Sequence, residues 1–230
     1  MSDYNVIIPH YSVMLAEGLA SIIQEQYPFQ HQISMELLSA QLNDTYRVTS
    51  GQNIYYLRIP RHERYYPITA ETYEFEMHLV NFLRKQQLNV SYPIPLKNRK
   101  LLGILNAPEG IRYYSLHTHA EGVEPEIDNF DHMKLLGQML AQFHLLTENY
   151  QSKYQGVTWD LDLLVDYGLS RLKKYLPEDL QSEFNSVEKK TKQLVNSFYK
   201  LIPEQNSQVW GVIHGNYTTK NLRIDGNKLT

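Results

Sequence analysis

The sequence predicts an α+β fold in two parts, a strand-rich first half and a helical second half. Three observations carry this. Between residues 33 and 119, short alternating segments are separated by turn residues, and one helical pattern at 68–87 interrupts them. From residue 128 onward the apolar residues recur at helical spacing over long stretches. Between the two regimes, Glu121-Gly122-Val123-Glu124-Pro125 breaks both patterns, so the boundary falls near 120.

Residues 11–27 place Val13, Leu15, Ala16, Leu19, Ile22, Ile23 and Tyr27 near helical spacing, and Pro28 ends the helix. Ile33 to Leu42, Thr45 to Thr49 and Ile54 to Ile59 read as strands, with Ser50-Gly51-Gln52-Asn53 as the turn between the last two. In Tyr55-Tyr56-Leu57-Arg58-Ile59-Pro60, Tyr56 and Arg58 share one face while Leu57 and Ile59 share the other. A lone strand arginine is ordinarily solvated, but its guanidinium can also grip a phosphate or carboxylate bidentately.

Residues 68–87 form the next helix. Tyr73, Met77, Val80 and Leu83 trace one apolar stripe, and Phe75, Leu79 and Phe82 trace its neighbour. Glu76 falls between them, and a carboxylate set into an apolar stripe wants a cation. Glu71 and Glu74 lie on the polar side with His78 and Asn81. Val90 to Pro95 and Leu101 to Leu105 read as strands about the turn Lys97-Asn98-Arg99-Lys100. After the turn Ala107-Pro108-Glu109-Gly110, Ile111 to His119 alternates as a strand. His117, His119 and Glu121 do not make a metal site, because no thiolate or third histidine is near in sequence.

Asp128-Asn129 and Asp131 open a helix to about Thr147, with Met133, Leu136, Leu140 and Phe143 on one face. Residues 160–175 and 178–201 are two further helices, broken at Pro177 and Pro203, with Lys189, Lys190 and Lys192 on a solvated face. Val209 to Ile213 is an apolar run that reads as a short buried strand. A polar loop, His214 to Lys220, follows it. A strand then starts at Leu222, turns at Asp225-Gly226-Asn227 and returns through Lys228-Leu229-Thr230.

Composition narrows the function classes. With 42% hydrophobic residues in 230, the chain can bury a core. A net charge of −3 gives no electrostatic footprint for nucleic acid. There is no cysteine, which excludes disulfides and thiolate metal sites. Met1-Ser2-Asp3-Tyr4-Asn5 lacks the basic start and apolar core of a signal peptide, and no run reaches the roughly twenty apolar residues of a membrane span. A cytoplasmic protein with no membrane partner is expected.

The segment His214-Gly215-Asn216-Tyr217-Thr218-Thr219-Lys220-Asn221 resembles the HGDxxxxN catalytic loop of the aminoglycoside phosphotransferase and choline kinase group. The "WGxIHGD" flavour of the homoserine kinase type II and RdoA-like branch resembles Trp210 to Asn216 most. Asn43-Asp44-Thr45-Tyr46-Arg47-Val48 is similar to that family's "NxxYRV" meander, and Leu136 to His144 to its "lGxxLAxxH" helix. The resemblance covers essentially the whole chain. It implies a protein-kinase-like two-lobe fold: a nucleotide-binding α+β lobe over 1–120, and a helical lobe over 121–230 that ends in the catalytic loop. It further implies ATP and magnesium as cofactors, and transfer of the γ-phosphate to a hydroxyl of a small molecule.

By the same resemblance, Gln41 to Asp44 lies over the phosphates, Arg58 contacts them, and Glu76 pairs with Arg58, with Glu71 and Glu74 in reserve. The backbone of Thr118 and Ala120 faces adenine, Asn221 binds metal, and His144 is structural. Asn216 stands where the family carries its catalytic Asp. A carboxylate can take a proton near neutral pH; a carboxamide can only hydrogen-bond. The family's next metal ligand, the first Asp of a DFD segment, would lie beyond Thr230. The expectation is therefore a chain inactive by itself, with a pseudokinase scaffold or a truncated gene product as alternatives. It is also expected to expose apolar surface on Leu136, Leu140, Phe143 and Ile213, and to form a homo- or hetero-oligomer that covers the incomplete lobe.

Overall fold

The computed structural model describes residues 11–61, 68–201 and 210–230. Its elements in chain order are α1 (Ala16–Gln26), β1 (Ile33–Ala40), β2 (Asn43–Ser50), β3 (Asn53–Pro60), α2 (Ala70–Lys85), β4 (Pro93–Ile94), β5 (Gly103–Ala107) and β6 (Gly110–Thr118). Then come α3 (Phe130–Thr147), a π-helical turn at Asp162–Tyr167 running into α4 (Gly168–Lys174), and a 3-10 turn at Glu178–Leu180 leading into α5 (Gln181–Tyr199). A 3-10 turn at Thr219–Asn221 precedes the closing hairpin of β7 (Ile224–Asp225) and β8 (Lys228–Leu229). The α+β class expected from the sequence is present, with the antiparallel sheet first and the long helices after it.

The sheet runs β1-β2-β3-β6-β4, with β5 paired to β6. Its register places Arg58 opposite Thr45 on one side and Ser115 on the other. Alternation then decides what each face buries. Tyr46, Val48, Leu57, Ile59, Tyr114 and Leu116 point to one face and are almost wholly buried. Leu19, Ile23 and Tyr27 of α1 and its end, spaced four apart on one side of the helix, cover them. Each such side chain contributes roughly 1.5–3 kcal/mol by burial. The Tyr27 hydroxyl accepts from the Leu116 N–H at 3.2 Å, and the Tyr46 hydroxyl donates to the Met14 carbonyl at 2.6 Å. Both phenols are therefore partnered. Burial, the largest influence on each, raises the Tyr27 pKa and pushes that of Tyr46 up to about 12.

A buried ionic cluster closes one end of this sandwich. Arg112 and Asp44 are both solvent-free, and Nη2 meets Oδ2 at 2.8 Å. Arg112 also donates to the carbonyls of Ser12 at 2.7 Å and Ile59 at 3.1 Å, to that of Pro60 at 3.2 Å, and reaches Glu109 at 3.4 Å. The Tyr11 hydroxyl donates to the other Asp44 oxygen, and the Arg61 guanidinium lies 3.8 Å over the Tyr11 ring. Burial pushes the Asp44 carboxyl above its usual range against the pull of Arg112 and then Arg61. This corrects the expectation for the loop at Gln41 to Asp44. Asn43 and Asp44 belong to strand β2, and Asp44 serves the core, because a carboxylate at this depth is tolerable only beside Arg112.

Helix α2 lies on the opposite face of the sheet, with Tyr73 packed against Tyr113 at 5.6 Å between ring centroids. Thr69 starts it through a reciprocal cap with Thr72, and Gln87 in the left-handed region (φ 65°) ends it. The Leu88 N–H donates back to the Leu83 carbonyl at 3.0 Å, which closes that turn. Leu79, Leu83 and Leu88 then form a second core with Phe143 of α3, joined by Val212.

Four expected elements are shorter or different. The 11–27 helix starts at Ala16, and Val90 to Pro95 keeps strand pairing at Pro93–Ile94 alone. Residues 160–175 begin as a π-helical turn. Trp210 to Ile213 forms no strand: Val212 inserts singly into the α2–α3 core, and among the described residues no strand pairs with the run. Val209 and Pro203 lie outside the described residues. Among the described residues, no helix is long and apolar enough to cross a membrane.

Candidate functional site

Arg58 on β3 and Glu76 on α2 face each other across the sheet-to-helix gap, Nη1 to Oε1 3.8 Å. Both side chains are more than two-fifths exposed, so the pair adds at most about 1 kcal/mol to stability. Its effect is positional: an accessible guanidinium is held between the sheet and α2. Of the reserve acids, Glu74 instead reaches His78 at 3.7 Å.

On the same sheet face, His117 is buried, and its Nε2 lies 2.9 Å from the Ser115 hydroxyl. Burial, reinforced by the Arg58 charge and opposed by a hydrogen bond to the Ser91 backbone, lowers its pKa to about 3. It is a neutral, buried fixture of the sheet, in keeping with a structural reading. Beyond it the chain leaves the sheet. The Thr118 N–H donates to the Tyr92 carbonyl at 3.0 Å, and the Thr118 carbonyl accepts from the Ser91 hydroxyl at 2.6 Å. Thr118 therefore spends its N–H on the strand beside it and keeps only a second carbonyl lone pair for anything else. Among the described residues, the Ala120 backbone makes no hydrogen bond.

The linker that follows is tied directly to the closing hairpin and the loop before it. Val123 N–H donates to the Ile224 carbonyl at 3.0 Å, and Ile224 N–H donates back to Val123 at 2.8 Å. Gly122 takes φ 104°, and a Cβ there would stand 2.1 Å from the Ile224 carbonyl oxygen, so only glycine fits. One residue further, Glu124 accepts from the Thr219 hydroxyl at 2.8 Å. Asn89, after α2, donates to the Leu229 carbonyl at 3.0 Å and to the Thr230 hydroxyl at 2.6 Å. In the sequence, Gly122 and Glu124 are marked only as part of a break in pattern, and Asn89 carries no signal.

The loop itself is folded around Asn216. Its N–H donates to His214 Nδ1 at 3.3 Å, and its carbonyl accepts from the Thr218 N–H at 3.0 Å and from Asn221 Nδ2 at 2.9 Å. Gly215, at φ 76°, makes the turn. With Nδ2 committed to the loop, Asn221 Oδ1 is the atom left for a cation. The hairpin packs Leu222, Ile224 and Leu229 on Leu135, Leu136 and Met139 of α3, and the Tyr217 hydroxyl donates to the Leu136 carbonyl at 2.8 Å. Desolvation lowers the His214 pKa; Glu76 raises it and Arg58 lowers it, which places loop and ion pair in one electrostatic neighbourhood. Phe143, expected to be partly uncovered, is buried, whereas Ile213 is 56% exposed.

The arrangement offers an accessible cation and two carboxamides, Asn216 and Asn221, in one hydrogen-bonded loop. Among the described residues, no group of three His, Asp or Glu side chains could hold a metal ion. Two surface grooves lie elsewhere: one between α1 and β1 at Ala20, Gln24 and Ile33, the other between α2 and the chain after α3 at His78 and Tyr150.

Comparison with known proteins adds to this geometry. The profile of the phosphotransferase enzyme family, APH, matches residues 35–230. An uncharacterized protein of Deinococcus radiodurans is 28% identical over 216 residues, which is 93% of this chain and 60% of that one. An uncharacterized protein of Synechocystis sp. is 28% identical over 174 residues, 74% of this chain and 47% of its own length. Among solved structures, an amicoumacin kinase in complex with AMP-PNP, Ca2+ and Ami superposes with TM-score 0.73 at 19% identity, covering 96% of this chain and 63% of that one. A microcompartment-associated aminopropanol kinase gives TM-score 0.68 at 18% identity, covering 92% of this chain and 66% of that one. The chain thus spans less than two thirds of these relatives. With its sheet lobe, linker and HGN loop all inside the matched region, the chain belongs to the phosphotransferase enzyme family and has its kinase-like fold.

Proposed function

We propose that this chain carries the nucleotide cleft of an ATP-dependent small-molecule O-phosphotransferase, and that by itself it binds nucleotide without turning it over. The observation that supports this reading most is the Arg58–Glu76 pair, near enough to the His214–Asn221 loop for both charges to act on His214. Arg58 would hold phosphate oxygens, the backbone near Ala120 would meet the base, and Asn221 Oδ1 would give one oxygen to a divalent ion such as magnesium. Bound ATP would supply the phosphoryl group to be moved to a hydroxyl. The residues fit the nucleotide better than the metal, since magnesium usually takes carboxylates along with phosphates.

Asn216 favours the second reading, a cytoplasmic pseudokinase that uses the cleft for binding alone. Its amide can orient a hydroxyl but cannot accept the proton, and general-base help is typically worth about a hundred- to ten-thousand-fold. The same experiment serves both readings. Calorimetry with ATP and ADP, with and without magnesium, should give weak binding that Arg58→Ala abolishes. ADP release with a panel of amino alcohols and aminoglycosides should stay at background. Turnover dependent on substrate and on Arg58 would refute the inactivity; no binding at millimolar nucleotide would refute both readings.

A further inference from the structure

We propose that Asn89 is a positioning residue that ties the Arg58–Glu76 pair to the Asn216–Asn221 loop, so that nucleotide held by the pair steadies the loop. The proposal rests on the reading above, in which Arg58 holds phosphate. Asn89 itself is fixed from both sides. Before it runs α2, the helix that carries Glu76. Gln87 ends that helix at φ 65°, and Leu88 is buried with Leu79, Leu83 and Phe143. After it, the Ser91 hydroxyl donates to the Thr118 carbonyl at 2.6 Å, and the Tyr92 N–H donates to the Thr118 hydroxyl at 3.1 Å. The Tyr92 carbonyl accepts from the Thr118 N–H at 3.0 Å. The backbone at Asn89 therefore moves with α2 and with the end of β6.

Its side chain reaches the far end of the sequence. Nδ2 donates to the Leu229 carbonyl at 3.0 Å and to the Thr230 hydroxyl at 2.6 Å. A carboxamide nitrogen has two hydrogens, and both are spent here. From these acceptors the path to the loop is short. The Arg223 N–H donates to the Thr230 carbonyl at 2.9 Å, the Thr230 N–H donates back at 2.8 Å, and Arg223 stands two residues after Asn221. Within the loop, the Asn221 N–H donates to the Thr218 carbonyl at 3.0 Å and Asn221 Nδ2 to the Asn216 carbonyl at 2.9 Å. Two other ties to this hairpin and loop, Val123 with Ile224 and Glu124 with Thr219, start from the linker. Asn89 starts from the helix of Glu76, and the charges of Glu76 and Arg58 both act on His214 in the loop. A shift of α2 when phosphate engages Arg58 is thus delivered to the loop, and by linkage the loop returns the same factor in nucleotide affinity.

Hydrogen exchange at the Thr218 and Asn221 amides, read beside calorimetry of ADP on the full chain, tests this. In the wild type, ADP should slow both amides by about fivefold or more. In Asn89→Leu, which cannot donate, ADP should leave them unchanged, and ADP affinity should fall by the same factor. Thr230→Val removes one of the two acceptors. It should move both readings in the same direction by less, and it decides the case if Asn89→Leu does not fold. A wild type that binds ADP without slowing the loop amides would overturn the proposal and leave the nucleotide reading standing. So would an Asn89→Leu chain that melts earlier yet keeps the effect of ADP on the loop, because Asn89 would then be structural alone. A wild type that binds no ADP at millimolar concentration fails the nucleotide reading itself, and the proposal falls with it.

Discussion

Removing Arg112 should be the most damaging single truncation in the sheet. In Arg112→Met the apolar stem is replaced and the guanidinium is lost. Asp44, with no solvent exposure, then keeps its charge without its 2.8 Å partner. The carbonyls of Ser12, Ile59 and Pro60 lose a donor at the same time. Breaking a buried ion pair from one side costs about 3–5 kcal/mol, and each stranded buried acceptor about 1–3, though these overlap and do not add. We expect a loss of about 4 kcal/mol, a large share of the roughly 5–15 kcal/mol that holds a domain together. Urea titration of the wild type, Arg112→Met, Asp44→Asn and the double variant gives the cycle. The double variant should recover about 2 kcal/mol relative to the sum of the singles, because the uncompensated charge is gone. A cost under about 1 kcal/mol for Arg112→Met, or no coupling to Asp44, would refute the claim that the pair is locked and dry.

Three further outcomes are expected. His117 has a folded pKa near 3, below the unfolded 6.5, so the stability it contributes is complete above pH 6.5 and is lost as pH falls toward 3. In His117→Gln the slope of stability against pH between 6 and 4 should be shallower by up to about 1.4 kcal/mol per unit, read from melts across that range. Gly122→Ala should cost about 2–4 kcal/mol and unprotect the Val123 and Ile224 amides in hydrogen exchange, since a methyl 2.1 Å from the Ile224 carbonyl must force linker and hairpin apart. Asn216→Asp alone should leave phosphotransfer at background in an ADP-release assay, because among the described residues no group of three His, Asp or Glu side chains could hold a metal ion.

Much of this was legible in the sequence, for local reasons. Alternation and turn residues locate β2, β3 and β6 within a residue or two, and helical spacing finds α2 and α3. Glu76 stands out because it interrupts an apolar stripe, and the structure places it 3.8 Å from Arg58. What the sequence hid was set at long range. Arg112 and Asp44 are 68 positions apart, and neither looks unusual where it stands. The run at Val209 to Ile213 reads as a strand because periodicity cannot say whether a neighbouring strand is there to pair with it. Asn89 reaches residues 140 and 141 positions away, so no local pattern marks it.

The tyrosines give the fold an upper limit in alkali. Tyr27 and Tyr46 are solvent-free, and Tyr217 is pushed up to about 12 by burial. A phenol held neutral in the native state favours folding below pH 10, and that contribution drains away as pH climbs toward 12, when the unfolded chain ionises first. Absorbance at the phenolate band should therefore rise in two phases. The exposed rings should titrate smoothly, and the buried ones should appear together in a cooperative step as the sheet opens. A single smooth curve across all 18 tyrosines would mean that Tyr27 and Tyr46 are not shielded as the structure has them.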